Sequence, residues 1–140
     1  MISFRSMKGR VSTALLLVCA LVAVPIVTSA ANNNGVCESA DVCLWKNADY
    51  LGPLLDRTGN LTDYSTTQYF NNAGNPNDET SSIWARGTGS WRVRVYQNKN
   101  AGGAFDCFDP NEITYQLPNS AFGGLANDSA SSHYWSTTTC

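Results

Sequence analysis

Val93 and Val95 alternate with Arg92, Arg94 and Tyr96, and Val42 and Leu44 alternate in the same way with Cys43 and Trp45. A period of two sends successive side chains to opposite faces of a strand, so both stretches are predicted as strands with the aliphatic pair facing a core. Turn-forming clusters break the chain every few residues: Gly52-Pro53, Thr58-Gly59-Asn60, Gly74-Asn75-Pro76, Gly87-Thr88-Gly89, Asp109-Pro110-Asn111 and Gly123-Gly124. Short strands punctuated in this way predict an all-β sandwich. No apolar stripe recurs at helical spacing, and residues 62–70 and 119–126 have room for a short helical turn at most.

One apolar stretch fits neither pattern. Val11 to Val27 is a run of 17 residues, preceded by Arg5, Lys8 and Arg10 and followed by Thr28-Ser29-Ala30. A basic start, a short apolar run and a small-x-small exit describe a secretory signal peptide over residues 1–30, cut after Ala30. The run contains Pro25 and is marginal for spanning a bilayer, which disfavours an uncleaved anchor. A lipoprotein reading through Cys19 is weaker, because Val18 stands where a small residue is needed. The expected destination is extracellular, with no stable membrane insertion after cleavage.

Composition narrows the function. In the 140 residues 43% are hydrophobic and 14% charged, too apolar a balance for a disordered chain. The three basic residues of the leader, taken from 9, leave 6 against 11 acids, a net charge of −5 over residues 31–140. Such a surface argues against nucleic acid as a partner, since neutralising phosphates takes clustered lysine and arginine. The chain has 1 histidine, His133, beside Tyr134 and Trp135, which reads as a surface or packing residue rather than a general base. Asp106 and Asp109 flank Cys107 and Phe108 in a turn-like stretch with nothing to mark either as buried. The expected protein is not an enzyme.

An internal duplication organises residues 31–140. Trp45-Lys-Asn-Ala-Asp-Tyr50-Leu-Gly52 leads to Asn77-Asp78-Glu79-Thr80-Ser81-Ser82, and Tyr96-Gln-Asn-Lys-Asn-Ala101-Gly-Gly103 leads to Asn127-Asp128-Ser129-Ala130-Ser131-Ser132. The offset is 51 at the first motif and 50 at the second, so one single-residue indel relates the copies. Two copies of about 50 residues make a duplicated supersecondary unit, not a solenoid. The glycine closing each aromatic-led motif suits a hairpin folded back over its own sheet with positive φ, and the leading aromatic can pack on that hairpin.

Cys37, Cys43, Cys107 and Cys140 remain once Cys19 is removed with the leader, an even number in an exported chain. Three connectivities are open. Cys37–Cys43 and Cys107–Cys140 keep each bridge within one half of the repeat and are the expected pairs. Chain entropy assigns the 7-residue loop roughly 2.4 kcal/mol and the 34-residue loop roughly 3.8 kcal/mol. The spacings lack the close thiol pairs of a zinc knuckle.

The paired motifs resemble the two Greek keys of a microbial βγ-crystallin domain, with the first key at about 42–84 and the second at about 91–135. Cys37-x5-Cys43-Leu44-Trp45 behind a signal peptide resembles, more narrowly, the secreted bacterial peptidase-inhibitor family that shares this fold. The resemblance implies a sandwich of two four-stranded sheets. Ala101 departs from it, standing where an aromatic is usual, so the second hairpin is expected to pack less tightly.

The resemblance also implies calcium. Asn-Asp-x-x-Ser-Ser supplies a carboxylate, an amide oxygen, hydroxyls and turn carbonyls, which is the hard oxygen chemistry that this ion takes. On the family pattern Asp78 and Ser81 belong to one motif and Asp128 and Ser131 to its twin. Main-chain carbonyls come from Glu79 and Ser129, and further carbonyls from the hairpins near Asn47 and Asn98. The motifs contribute across to each other's ion, giving two Ca2+ sites. Taken alone, either hexapeptide reads more readily as a turn in which Asx and serine side chains bond their own backbone; it is the matching pair that favours calcium.

The family implies inhibition of an extracellular protease; residues 71–76 and 86–90 are the candidate protruding loops in this sequence, and a monomer is expected. The alternative is a cell-wall or carbohydrate-binding protein, or a killer-toxin-like antimicrobial of the same fold, with Trp45, Trp84, Trp91 and Trp135 as a sugar-stacking platform. Asn60-Leu61-Thr62 and Asn127-Asp128-Ser129 match glycosylation sequons.

Overall fold

The structure, a computed structural model, describes residues 32–119 and 124–140. The predicted signal peptide at 1–30 and half of the 119–126 stretch lie outside the described residues. Seven strands follow in chain order: β1 (Val42–Trp45), β2 (Leu54–Arg57), β3 (Ser82–Ala85), β4 (Arg92–Asn98), β5 (Gly102–Phe108), β6 (Ile113–Thr114) and β7 (Ser132–Ser136). Among the described residues the helical pieces are 3-10 turns, at Ala48–Tyr50, Tyr64–Thr66 and Phe70–Asn72. No helix among them is long and apolar enough to cross a membrane.

Antiparallel pairing builds two sheets, in the orders β2-β1-β3-β6 and β5-β4-β7. Each sheet takes backbone from the other half of the repeat. β6, from the second half, pairs with β3, while Leu61, from the first half, bridges His133 of β7. This exchange closes the Greek keys and makes the halves one βγ-crystallin-like sandwich. The second sheet departs from the expected four strands: its fourth member is the single bridge at Leu61. The reason is local, since Asp63 caps the 3-10 turn at Tyr64–Thr66 by accepting from the Ser65 N–H, and the chain leaves the sheet at once.

The core fills from both sheets. Leu44 lies opposite Leu55 and Ile83, and Val93 opposite Phe108 and Trp135. Val42, Leu44, Leu55, Ile83, Val93 and Val95 are fully buried, and Tyr64, Tyr69, Leu117 and Leu125 close the layer from the loops. Burying a side chain of this size contributes about 1.5–3 kcal/mol. β4 shows the predicted alternation, with Val93 and Val95 buried and Arg92, Arg94 and Tyr96 partly exposed.

In β1 the outward-facing Cys43 and Trp45 are buried as well, and the expected bridge and hairpin packing are among the reasons. Neighbours in sequence and one residue from beyond β3 cover the outer face there. Cys43 is bonded to Cys37, Trp45 packs beneath Tyr50 with ring centroids 4.9 Å apart, and the Arg86 guanidinium lies 4.6 Å above Trp84. The second bridge joins Cys107 to Cys140, and the Cα–Cα spans of the two are 5.8 and 5.5 Å.

His133 is a core residue. Its Nε2–H donates to the Gly59 carbonyl at 2.8 Å, so Nδ1 accepts from the Tyr64 hydroxyl at 2.9 Å. Burial pushes its pKa down to about 4 against the usual 6.5, and Arg57 adds to the effect.

Candidate metal centre

The two hexapeptides meet face to face. Asp78 and Asp128 each sit in the left-handed region, at φ 55° and 53°, which short polar side chains tolerate. That conformation turns each peptide N–H onto the opposite corner: Asp78 N–H donates to the Ala130 carbonyl at 2.9 Å, and Asp128 N–H to the Thr80 carbonyl at 3.0 Å. Ser81 N–H then donates to Trp45 O and Ser131 N–H to Tyr96 O, both at 2.9 Å, which ties each corner to the strand that opens its own repeat.

Side chains cross over in the same way. The Ser81 hydroxyl donates to Asp128 Oδ1 at 3.2 Å, and the Ser131 hydroxyl to Asp78 Oδ1 at 3.0 Å. Both serines are buried while both aspartates are exposed, so each carboxylate is held from below and open above. Asn77 and Asn127 point amide nitrogen, not oxygen, at the neighbouring aspartates: their Nδ2 atoms donate to Asp78 Oδ2 at 2.6 Å and Asp128 Oδ2 at 2.8 Å. Each carboxylate is thereby held in one orientation by two donors.

The folded hairpins bring Asn47 and Asn98 to the same place. The Ser82 hydroxyl donates to the Asn47 carbonyl and the Ser132 hydroxyl to the Asn98 carbonyl, both at 2.7 Å. In turn the same hydroxyls accept from Tyr50 N–H at 3.1 Å and Ala101 N–H at 3.2 Å. The last serine of each hexapeptide is therefore a hairpin clamp, a role that reading the motif as a ligand list does not separate. Where Tyr50 covers Trp45 in the first half, Tyr96 packs instead on Phe105 and Tyr134, at 5.2 and 6.0 Å, because Ala101 supplies no ring.

Two shallow clefts result. One is lined by Lys46, Asn47, Asp78, Glu79, Ser81 and Asp128, and the other by Asn77, Asn98, Lys99 and Ser131. Ser129 sits on the second corner, with its hydroxyl donating to the Ala126 carbonyl at 2.6 Å. The Glu79 carbonyl accepts from the Tyr69 hydroxyl at 3.4 Å and keeps a second lone pair free. Burial raises the Tyr69 pKa above its ordinary value, so it remains a donor. Among the described residues no three His, Cys, Asp or Glu side chains cluster as metal ligands. The donor set is thus two carboxylates, two hydroxyls and main-chain carbonyls, all hard oxygen.

The lysines break the symmetry. Lys46 Nζ pairs with Glu79 Oε2 at 3.0 Å on the rim of the first cleft, and Lys99 Nζ stands 4.0 Å from Asp63 beside the second. A positive charge at the rim opposes a bound cation, and neither lysine stands out in the hexapeptide pattern.

The remaining candidates lie elsewhere. The four tryptophans form no single platform: Trp45 and Trp84 both pack around Tyr50 on the outer face of the first sheet, while Trp91 and Trp135 line a separate cavity. Asp109 is paired with Arg92. Both loops carry exposed residues: Asn71, Asn72, Ala73 and Gly74 in one, braced by Tyr69 N–H donating to the Gly74 carbonyl at 2.9 Å, and Thr88, Gly89 and Ser90 in the other, beside a buried Gly87 and closed by Trp91 N–H donating to the Thr88 carbonyl at 3.1 Å.

Residues 30–108 match the sequence model described as peptidase inhibitor family I36. No curated protein matches the chain. Among solved structures, the chain is similar to one described under the evolution of the eye lens βγ-crystallin domain fold, at 20% identity and TM-score 0.59, over 78% of this chain and 98% of that one. A βγ-crystallin from Ciona intestinalis aligns at 19% identity and TM-score 0.54, over 69% and 99%. A double-mutant βγ-crystallin domain from Clostridium beijerinckii aligns at 26% identity and TM-score 0.51, over 70% and 98%.

Proposed function

The chain belongs to peptidase inhibitor family I36, and from that premise we propose that it is a secreted, non-enzymatic inhibitor of an extracellular protease, stabilised by two calcium ions. The observation that carries the calcium reading is the reciprocal pairing of Ser81 with Asp128 and of Ser131 with Asp78. Two ordinary Asx turns need no contact with each other. Here each carboxylate is oriented by the other repeat, beside the carbonyls of Asn47 and Asn98.

Asp78, Ser131 and the Ser129 and Asn98 carbonyls would hold one ion, and Asp128, Ser81 and the Glu79 and Asn47 carbonyls the other. Calcium would supply charge that ties the two repeats together. One carboxylate per site places the affinity at about 10⁻⁶ to 10⁻³ M. For inhibition, the exposed loop at Asn71–Gly74 is one candidate, because its ends are fixed and a preorganised loop loses little entropy on docking.

Calorimetric titration of chelator-stripped protein with calcium tests the first part, and a panel of secreted metallo- and serine proteases the second. Two binding events lost in Asp78→Ala plus Asp128→Ala are expected. Silence at millimolar calcium would remove the ion from the proposal, and a panel without inhibition would remove the protease.

A further inference from the structure

One cavity plays no part in the metal reading. It has a volume of about 460 Å³ and is lined by Trp91, Trp135, Thr58, Asn60, Thr88 and Gly87, among others, none of them charged. That size lies in the range of small-molecule sites. We propose that it binds the ring of a neutral sugar, a pyranose unit of an oligosaccharide.

The cavity is built rather than left over. A Cβ on Gly87 would lie 2.0 Å from the Trp91 carbonyl oxygen and 2.9 Å from a ring carbon of Trp135. Only glycine there lets the backbone of Trp91 and the indole of Trp135 close on the link between the two sheets. Trp91 itself is 49% exposed, an aromatic surface kept in water beside a second indole.

The polar groups are equally specific. Asn60 Oδ1 accepts from Trp135 N–H at 2.8 Å, which fixes the orientation of the amide and leaves its Nδ2 donors without a described partner. The Thr58 hydroxyl donates to Asn32 Oδ1 at 2.9 Å and so faces a ligand as an acceptor. Thr88 is exposed, with a free hydroxyl among the described residues. Among the described residues the Trp135 indole N–H, shielded from solvent, has no acceptor.

Two indoles beside an amide donor and hydroxyl acceptors, without charge, match a ligand with apolar C–H faces and a rim of hydroxyls. An anion would find no cation there. A purely apolar ligand would leave the amide and hydroxyls unpaired as it displaced their water. A pyranose meets both demands, and the inference stands independently of calcium and of protease inhibition.

The test is titration of the full protein with cellohexaose, chitohexaose and maltohexaose, followed by tryptophan fluorescence and calorimetry. Saturable binding of at least one is expected, weakened about tenfold or more in Trp91→Ala and by a few-fold in Thr88→Val. Trp91 is half-exposed, so an unchanged unfolding temperature should accompany its loss, and Thr88→Val serves if it is not. No saturable binding of any of the three up to about 10 mM overturns the proposal, as does binding that both variants leave intact. A protease complex weakened by Trp91→Ala in a protein that binds none of the sugars would assign the cavity to a protein partner and also overturn it.

Discussion

Ser131 donates to the carboxylate of Asp78 across 53 positions of the chain, and this hydroxyl and carboxylate come from different repeats. The pair should therefore act as a unit in calcium binding. Ser131→Ala is expected to weaken one calcium event by about as much as Asp78→Ala does, and the double variant to lose much less than the product of the two. Calorimetry on the full cycle reads the coupling, expected at about fivefold or more. Strictly additive losses would mean that the contact has no part in holding the ion.

Lys46 stands on the rim of the cleft that contains Asp78 and Asp128, paired to Glu79 with both side chains about two-fifths exposed. An exposed pair of this kind contributes about 0–1 kcal/mol to stability, so Lys46→Gln should barely move the melting temperature. Its effect on the ion should be larger. Removing the ammonium is expected to tighten one calcium event several-fold at low ionic strength, and Glu79→Gln to weaken it. Both effects should shrink at about 0.15 M salt, where the screening length is about 8 Å.

The sandwich and the paired corners were legible because they rest on local patterns that repeat. Val93 and Val95 advertise their strand, and two hexapeptides at one offset advertise two equivalent corners. The Cys37–Cys43 bridge and the packing of Trp45 on its own hairpin were legible too, because each lies within a few residues of β1. What was hidden depends on contacts from afar, such as the Arg86 guanidinium over Trp84, which pairs with Cys43 across the sheet. The bridge of Leu61 to His133 spans the two halves, so no local period reports it. The motif likewise cannot say that Ser82 and Ser132 clamp hairpins while Ser81 and Ser131 meet carboxylates.

Gly52 and Gly103 make the hairpin geometry testable. They have φ of 77° and 74°, and a Cβ on either would lie 2.7 Å from the amide nitrogen of Asn47 or Asn98. The left-handed backbone costs an alanine about 1–2 kcal/mol. Gly52→Ala and Gly103→Ala should each lower stability by at least that much in urea unfolding. Each should also weaken calcium, because Asn47 and Asn98 move with the hairpin. Loss of stability with unchanged calcium affinity would remove the hairpin carbonyls from the ligand set.

Two buried groups set the response to acid, and they oppose each other. His133 has a folded pKa near 4 against 6.5 when unfolded, so the stability it allows is present above 6.5 and is lost as pH falls towards 4. Asp41 runs the other way. Burial first, then Asp56 and Glu38, push its pKa up to about 6 from 3.8, against the opposing Glu38 N–H bond and the Arg86 charge. Its contribution is full below 3.8 and is lost as pH rises through 6. The two windows nearly coincide, so in calcium-free protein these terms should offset each other between about pH 4 and 6. Asp41→Asn removes the compensation and should steepen acid destabilisation there. His133→Gln, although less stable at neutral pH, should become more stable as the solution is acidified through the same window. Urea unfolding at pH steps checks both slopes, and parallel curves for the wild-type chain and both variants would place its acid response elsewhere.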